Sequence, residues 1–110
     1  MKVAAFVDDL FFSSKISATA RETGAEIVFC RSAAVAPRDA DRICIDLNAG
    51  SFDAIAEIRA LKASHPAPVI AYLSHVQTAL QRQAQEAGAD EVLPRSLFVQ
   101  RLPELLGGPR

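Results

Sequence analysis

The chain has 110 residues, of which 50% are hydrophobic and 23% are charged, and its formal net charge is −1. This length fits one domain, and the composition excludes a disordered segment. The small net charge argues against nucleic-acid binding through a basic surface, and no apolar stretch is long enough to span a bilayer. The first residues, MKVAAFVDDL, become acidic too early for a signal peptide, so we expect a cytoplasmic location.

Five short apolar runs predict buried strands, because polar or turn-forming residues flank each of them. These runs are residues 3–7, 27–30, 43–45, 69–73 and 91–93. Apolar residues at helical spacing predict helices over about 13–23, 51–64, 76–87 and 96–106. The expected N-caps are Ser13 or Ser14, Ser51 and Ser96. We expect Pro103 to break or kink the last helix, and Pro37 to limit residues 31–42 to one turn or an irregular connection.

The alternation of strands and helices predicts the α/β class, because right-handed βαβ units build a parallel sheet with helices on both faces. We expect a doubly wound, flavodoxin-like sheet with strand order 2-1-3-4-5 and a shortened or missing second helix. One domain should cover residues 1–106, and residues 107–110 should form a flexible tail.

Polar side chains follow four of the predicted strands. Strand one ends in Asp8 and Asp9, strand three in Asp46, strand four in Ser74 and strand five in Arg95. Ligands of open parallel sheets bind at the carboxyl ends of the strands, near the point where the strand order reverses. Carboxylates crowded there need a counter-charge, and a hard cation such as Mg²⁺ takes oxygen ligands. The pattern therefore predicts a Mg²⁺-assisted phosphoryl site with a carboxylate as the nucleophile.

Each of these residues has an ordinary structural alternative when it is considered alone. Asp46 would cap the following turn, Ser74 would cap the next helix, and Arg95 would be a surface cation. Their occurrence at four strand ends of one sheet favours a functional site.

Four segments resemble the receiver domain of bacterial two-component response regulators, and the resemblance covers nearly the whole chain. They are FVDD, CIDLN, PVIAYLSH and AGADEVLPRSLF. The resemblance implies that Asp46 accepts a phosphoryl group from a histidine kinase or phosphotransfer protein. It also implies direct Mg²⁺ ligation by Asp9, Asp46 and the backbone carbonyl of Asn48, with Asp8 acting through water. Such a domain is not an enzyme beyond its own phosphoryl transfer and autodephosphorylation.

In the family, the serine at the position of Ser74 moves toward the phosphoryl group. That movement reshapes the surface formed by the family's fourth helix, fifth strand and fifth helix. The resemblance therefore implies an output partner or a homodimer at this surface, with no direct contact to nucleic acid or membrane.

Four positions depart from the family's pattern. Arg95 replaces a lysine, Ser96 a proline and Val92 an aromatic residue, while His75 stands where a small residue is usual. These departures support an alternative hypothesis, a phosphorylation-independent pseudo-receiver that acts as a protein-interaction module, with Arg95 paired to Asp46. A third hypothesis is a small phosphohydrolase in which His75 directs a water molecule.

The two cysteines, Cys30 and Cys44, lie in separate apolar runs. With strand one between their strands, they are about 9.6 Å apart, which is two strand spacings and too far for a disulfide. We expect two free, buried thiols. Neither His65 nor His75 makes a zinc-ligand spacing with them.

Overall fold

The computed structural model describes residues 1–74 and 77–107, in which five strands alternate with four α-helices. The strands are β1 (Lys2–Phe6), β2 (Glu26–Phe29), β3 (Arg42–Asp46), β4 (Val69–Leu73) and β5 (Glu91–Pro94). The helices are α1 (Leu10–Thr23), α2 (Ala54–Ser64), α3 (Thr78–Ala87) and α4 (Arg95–Gly107). None of the helices in these ranges is long and apolar enough to cross a membrane.

The strands form one parallel sheet in the order β2-β1-β3-β4-β5, which confirms the predicted class and strand order. The strand order reverses between β1 and β3, where Ala5 lies beside Cys44. On the other side of β3, Asp46 lies beside Tyr72 of β4. The carboxyl ends of β1, β3 and β4 therefore meet at one edge of the sheet, as the predicted site requires.

Each face of the sheet carries its own apolar core, because side chains alternate between the faces along each strand. Helices α2 and α3 cover one face, and α1 and α4 cover the other. Cys30 belongs to the first core and Cys44 to the second, and both are free and buried, as predicted. Their opposite orientation adds to the strand separation that keeps the two sulfur atoms apart.

The connection between β2 and β3 contains one 3₁₀ turn, Ala33–Val35, which confirms the predicted loss of the second helix. Side chains of α2 and its C-cap hold this connection in place. Glu57 accepts a hydrogen bond from the backbone N–H of Ala33 at 2.7 Å. The buried His65 bonds the carbonyl of Ala36 through Nε2 at 3.0 Å, so that nitrogen must carry the proton.

The predicted serine N-caps of the first two helices are wrong, because aspartates provide the caps. Asp9 accepts hydrogen bonds from the N–H groups at the start of α1, so that helix begins three residues before Ser13. Asp53, not Ser51, caps α2 by accepting from Ala56. In both cases the aspartate has the extended backbone that an N-cap needs, and its carboxylate reaches the free N–H groups.

The predicted cap of the last helix is also wrong, and no break occurs at Pro103. Helix α4 begins at Arg95, directly after β5, so Ser96 is not its cap. It continues unbroken through Pro103 to Gly107, which therefore belongs to the helix and not to a tail. Burial of Leu102 and Leu105 on either side of the proline offsets the missing backbone hydrogen bond. The remaining tail residues 108–110 lie outside the described residues, as do His75 and the predicted helix start at Val76.

Candidate functional site at the carboxyl edge of the sheet

Asp46 is the last residue of β3 and is only 8% exposed. Its Oδ1 accepts a hydrogen bond from the backbone N–H of Asn48 at 2.8 Å. Its Oδ2 accepts none from the residues that the structure describes. Burial raises the pKa of the Asp46 carboxyl, and the negative charges of Asp8 and Asp9 act in the same direction. The N–H of Asn48 and the charge of Arg95 partly oppose that rise in pKa.

Asp8, which lies just after β1, binds the loop that follows β3 through hydrogen bonds. One carboxylate oxygen, Oδ2, accepts hydrogen bonds from the backbone N–H groups of Gly50 at 3.1 Å and Ser51 at 2.9 Å. Hydrogen bonds from Ser51 lower the pKa of Asp8. The loop therefore stabilises the charge of this carboxylate, and no backbone group of the described residues donates to its other oxygen, Oδ1.

Asp9 uses both of its carboxylate oxygens within the protein. Oδ1 accepts the N–H groups of Phe11 at 2.9 Å and Phe12 at 3.2 Å, which caps α1. Oδ2 pairs with Arg95 Nη2 at 3.1 Å. The N–H of Phe12, with a further contribution from Arg95, lowers the pKa of Asp9. The lowered pKa favours the ionised form of Asp9, and both of its carboxylate oxygens already accept hydrogen bonds from protein groups.

Arg95 pairs with Asp9, so the permanent Arg95–Asp46 pair of the alternative hypothesis is wrong. The guanidinium lies over the ring of Phe12, with Cζ 4.8 Å from the ring centroid. This cation–π contact holds it beside the N-terminus of α1, where Asp9 offers the nearest free carboxylate oxygen. Arg95 still lowers the pKa of Asp46 through its charge without a direct hydrogen bond.

The side chain of Asn48 joins the loop after β3 to the loop after β4. Its Oδ1 accepts the backbone N–H of Ser74 at 2.8 Å, and its Nδ2 donates to Gln77 Oε1 at 2.8 Å. The sequence analysis assigned a role only to the backbone carbonyl of Asn48. It missed the side-chain bridge because the partners are 26 and 29 residues away, and no local pattern marks such contacts.

The donor atoms at this edge fit Mg²⁺ in chemical type, since they are carboxylate and carbonyl oxygens. The available atoms are Asp46 Oδ2, Asp8 Oδ1 and the carbonyl of Asn48, whereas Asp9 is held by α1 and Arg95. Within residues 1–74 and 77–107, no three acidic, histidine or cysteine side chains converge on one point. A few protein oxygens and several waters suffice for Mg²⁺, so this set is compatible with the ion.

An open groove of about 700 Å³ lies beside the site, between α1 and the connection that follows β2. Its lining residues come from the exposed face of α1, the end of β2 and the 3₁₀ turn, and include Asp8, Ser14, Arg21, Arg31 and Val35. Asp46 does not line it. The predicted phosphoacceptor and this groove are therefore separate features that share Asp8 as a neighbour.

No protein-family model and no curated protein sequence matches the chain. Solved structures do match. A response regulator from Burkholderia pseudomallei, described with a phosphorylated aspartic acid, a calcium ion and citrate, superposes with a TM-score of 0.79 at 18% identity. The match covers 96% of this chain and 65% of that one, which is just under two thirds of its length.

Two further structures are similar over nearly their whole length. The phosphorylated cyanobacterial phytochrome response regulator RcpA has a TM-score of 0.75 at 17% identity, with 97% of this chain and 89% of that one covered. The BeF3-activated N-terminal receiver domain of Klebsiella pneumoniae RstA has a TM-score of 0.75 at 16% identity, with coverages of 99% and 100%. The chain has the response-regulator receiver fold.

The receiver fold gives the predicted site residues a common location. Asp8, Asp9, Asp46 and Ser74 follow the central strands, and Arg95 follows the edge strand β5. By their position in the fold, α3, β5 and α4 correspond to the fourth helix, fifth strand and fifth helix of receiver domains. The remaining predicted participant, His75 of the phosphohydrolase hypothesis, lies outside the described residues.

Proposed function

We propose that this chain is a receiver-type signalling domain that accepts a phosphoryl group on Asp46 with the aid of Mg²⁺. The observation that carries the proposal is the state of the Asp46 carboxylate. Asn48 fixes one oxygen, and the other has no donor among the described residues. It lies at the switch point of a receiver fold, where the fold's ligands bind.

The phosphoryl donor is a phosphohistidine of a histidine kinase or phosphotransfer protein. Asp46 Oδ2 forms a bond to phosphorus while the bond from phosphorus to the histidine nitrogen breaks, and the imidazole leaves with that electron pair. Bound Mg²⁺ would neutralise charge on the carboxylates and the phosphoryl oxygens. Asn48 keeps the nucleophile oriented by holding its other oxygen.

Ser74 and Arg95 are the residues that would contact the incoming phosphoryl oxygens. The backbone N–H of Ser74 is held by Asn48, whereas its exposed side chain has no hydrogen-bond partner among the described residues. Arg95 is close enough for its charge to affect Asp46. The surface of α3, β5 and α4 would then transmit the change to an output partner or to a second copy of the chain.

A pseudo-receiver that signals without phosphorylation is the second candidate. The observation that favours it is the engagement of Asp9, whose two oxygens serve the α1 cap and the pair with Arg95. In this case the fold acts only as a protein-interaction module. Millimolar Mg²⁺ should then leave the thermal stability and spectra of the protein unchanged.

Incubation with acetyl phosphate and Mg²⁺, followed by intact-mass measurement, tests the proposed function. The wild-type chain should gain the mass of one phosphoryl group, and the adduct should be stable in acid and labile in base. The Asp46→Asn variant, which keeps the size and one oxygen acceptor, should gain none. A wild-type mass that stays unchanged with donor and Mg²⁺ present would reject the proposal in favour of the pseudo-receiver.

A further inference from the structure

Tyr72 carries a buried hydroxyl that has no hydrogen-bond partner among residues 1–74 and 77–107. The residue lies in β4 and is 1% exposed. Its hydroxyl oxygen is the one buried side-chain polar atom without a partner in the part of the chain that the structure describes. Burying such a group unpaired destabilises a folded protein, whereas phenylalanine would fill nearly the same space without that cost. Packing alone therefore does not explain this hydroxyl.

The position of Tyr72 relates the hydroxyl to the candidate site. Tyr72 and Asp46 are register partners on adjacent strands, so their side chains project from the same face of the sheet. Besides burial, the charge of Asp46 raises the pKa of Tyr72, and Arg95 opposes it. The phenol therefore senses the charge of the carboxylate without a hydrogen bond between them.

Aromatic rings from two helices fix the orientation of Tyr72. Its ring stacks on Phe98 of α4, with centroids 4.4 Å apart, and contacts Phe12 of α1 at 4.8 Å. Arg95 lies over the other part of this cluster, on the Phe12 ring. Any movement of the Tyr72 ring must therefore shift its contacts with both α1 and α4.

We propose that the Tyr72 hydroxyl donates a hydrogen bond to the phosphoryl group on Asp46 and couples phosphorylation to the packing of α1 against α4. The proposal rests on the proposed function, because it requires an occupied Asp46. A phosphoryl group supplies the acceptor oxygens that the hydroxyl now lacks. The ring then follows its hydroxyl, and the stack with Phe12 and Phe98 passes the shift to both helices.

This route shares α4 with the surface that the family resemblance implies, but it involves α1 in place of α3 and β5. Strand β5 carries Val92, which has no ring to rotate and packs against the opposite core, under α2 and α3. The aromatic residues of the cluster lie in the core under α1 and α4. The phosphorylation signal would therefore reach the α1–α4 face through Tyr72.

The composition of the chain makes the proposal directly measurable, because Tyr72 is the only tyrosine and there is no tryptophan. Intrinsic fluorescence excited near the tyrosine band therefore reports this residue alone. Addition of beryllium fluoride and Mg²⁺, which mimic the phosphoryl group, should lower the emission of the wild-type protein as the hydroxyl gains an acceptor. The Asp46→Asn variant should show no such loss of emission.

The Tyr72→Phe variant separates this role from a structural one. It should be at least as stable as the wild type, because it removes an unpaired buried hydroxyl. Its affinity for beryllium fluoride, measured from the ligand-dependent rise in Tm, should be about fivefold weaker, which is the effect of one lost hydrogen bond. The matched control, Ile58→Val in the opposite core, should lower stability and leave the affinity for beryllium fluoride at the wild-type value.

Two results distinguish failure of this proposal from failure of the proposed function. If the intact mass shows phosphorylated Asp46, but emission is unchanged and Tyr72→Phe binds beryllium fluoride as tightly as wild type, the Tyr72 proposal is overturned and phosphoacceptance stands. If no adduct forms on the wild-type chain under any of these conditions, both proposals are overturned.

Discussion

We expect Arg95 and a metal ion to compete for the carboxylate of Asp9. The guanidinium holds Asp9 Oδ2 at 3.1 Å, and both side chains are more than one third exposed. A pair of this kind contributes less than about 1 kcal/mol, so removing it should cost little stability. Its removal would free one oxygen of Asp9 for ligation and leave the α1 cap on the other oxygen intact.

We therefore expect Arg95→Ala to bind Mg²⁺ up to about fivefold more tightly than the wild type, with isothermal titration calorimetry as the measurement. The control is Arg101→Ala, since Arg101 pairs with Glu91 and Glu104, which are not among the site residues. That variant should bind Mg²⁺ like the wild type. An affinity that is unchanged or weaker in Arg95→Ala would show that the two cations do not compete.

The buried Asp46 makes stability depend on pH. Burial raises its folded-state pKa above the unfolded value, so the native state holds this proton more tightly. The contribution to the free energy of unfolding is present below the unfolded-state pKa. It is lost as the pH rises through the folded-state pKa, which leaves the ionised carboxylate destabilising at neutral pH.

Asp46→Asn should therefore have a higher Tm than the wild type at pH 7, without Mg²⁺. The difference should shrink as the pH falls through the pKa range of Asp46, because the protonated carboxyl resembles the amide. Calorimetric scans across that range measure it. A Tm difference that stays constant with pH would contradict a raised pKa for Asp46.

Asp9 caps the N-terminus of helix α1, and an uncharged asparagine can provide the same cap. The family resemblance implied that Asp9 is a metal ligand, whereas serines were the predicted caps, because several residues near a helix start can serve as caps. Which one does so depends on where the backbone leaves the sheet. The three-dimensional path of the chain decides this, and residue type alone does not.

Asp9→Asn should keep the cap, and Asp9→Ala should lose it. We expect Asp9→Ala to be less stable than the wild type by about 1 kcal/mol, and Asp9→Asn to be close to it, in urea unfolding at neutral pH. Both should bind Mg²⁺ more weakly if Asp9 is a ligand. Normal Mg²⁺ affinity in Asp9→Asn would remove Asp9 from the ligand set.

The connection between β2 and β3 shows how an element can be lost without exposing the core. Pro37 in the sequence predicted the irregular chain path, but nothing in the sequence predicted how it is held. His65 had no assigned role, although it bonds Ala36 across 29 residues and Ser64 Oγ through Nδ1 at 2.7 Å. Contacts over such distances depend on the folded arrangement of α2 beside this connection.

His65→Ala should lower the free energy of unfolding by about 2 kcal/mol, because it removes two hydrogen bonds and buried side-chain volume. Ser64→Ala, which removes only the hydroxyl partner, should have about half that effect or less. Urea unfolding of the two variants measures both. Equal effects of the two substitutions would show that the bond from His65 to Ala36 adds nothing.

The whole molecule is an αβα sandwich with two cores that meet only through the sheet. The apolar strands and their alternation with helices predicted this arrangement, including the strand order, because few topologies accommodate five parallel strands. The location of the candidate site followed from that order. The ion pair within the site did not follow from the strand order. Arg95 pairs with Asp9 and not with Asp46, and its guanidinium lies over the ring of Phe12, which is far away in the sequence.

The helices of the proposed output surface lie on different faces of the sheet. Helix α3 lies over one core, whereas the aromatic stack of Tyr72 joins α1 and α4 in the other. Asp46 ends β3, and the side chains of this strand alternate between the two cores.

Mg²⁺-dependent phosphorylation of Asp46 can be tested at the level of the single residue. Borohydride reduction converts an aspartyl phosphate to homoserine, which peptide mass spectrometry locates in the sequence. After treatment with acetyl phosphate and Mg²⁺, the account predicts homoserine at position 46, and none when Mg²⁺ is chelated. Unmodified Asp46 under both conditions, or homoserine at Asp8 or Asp9 instead, would contradict it.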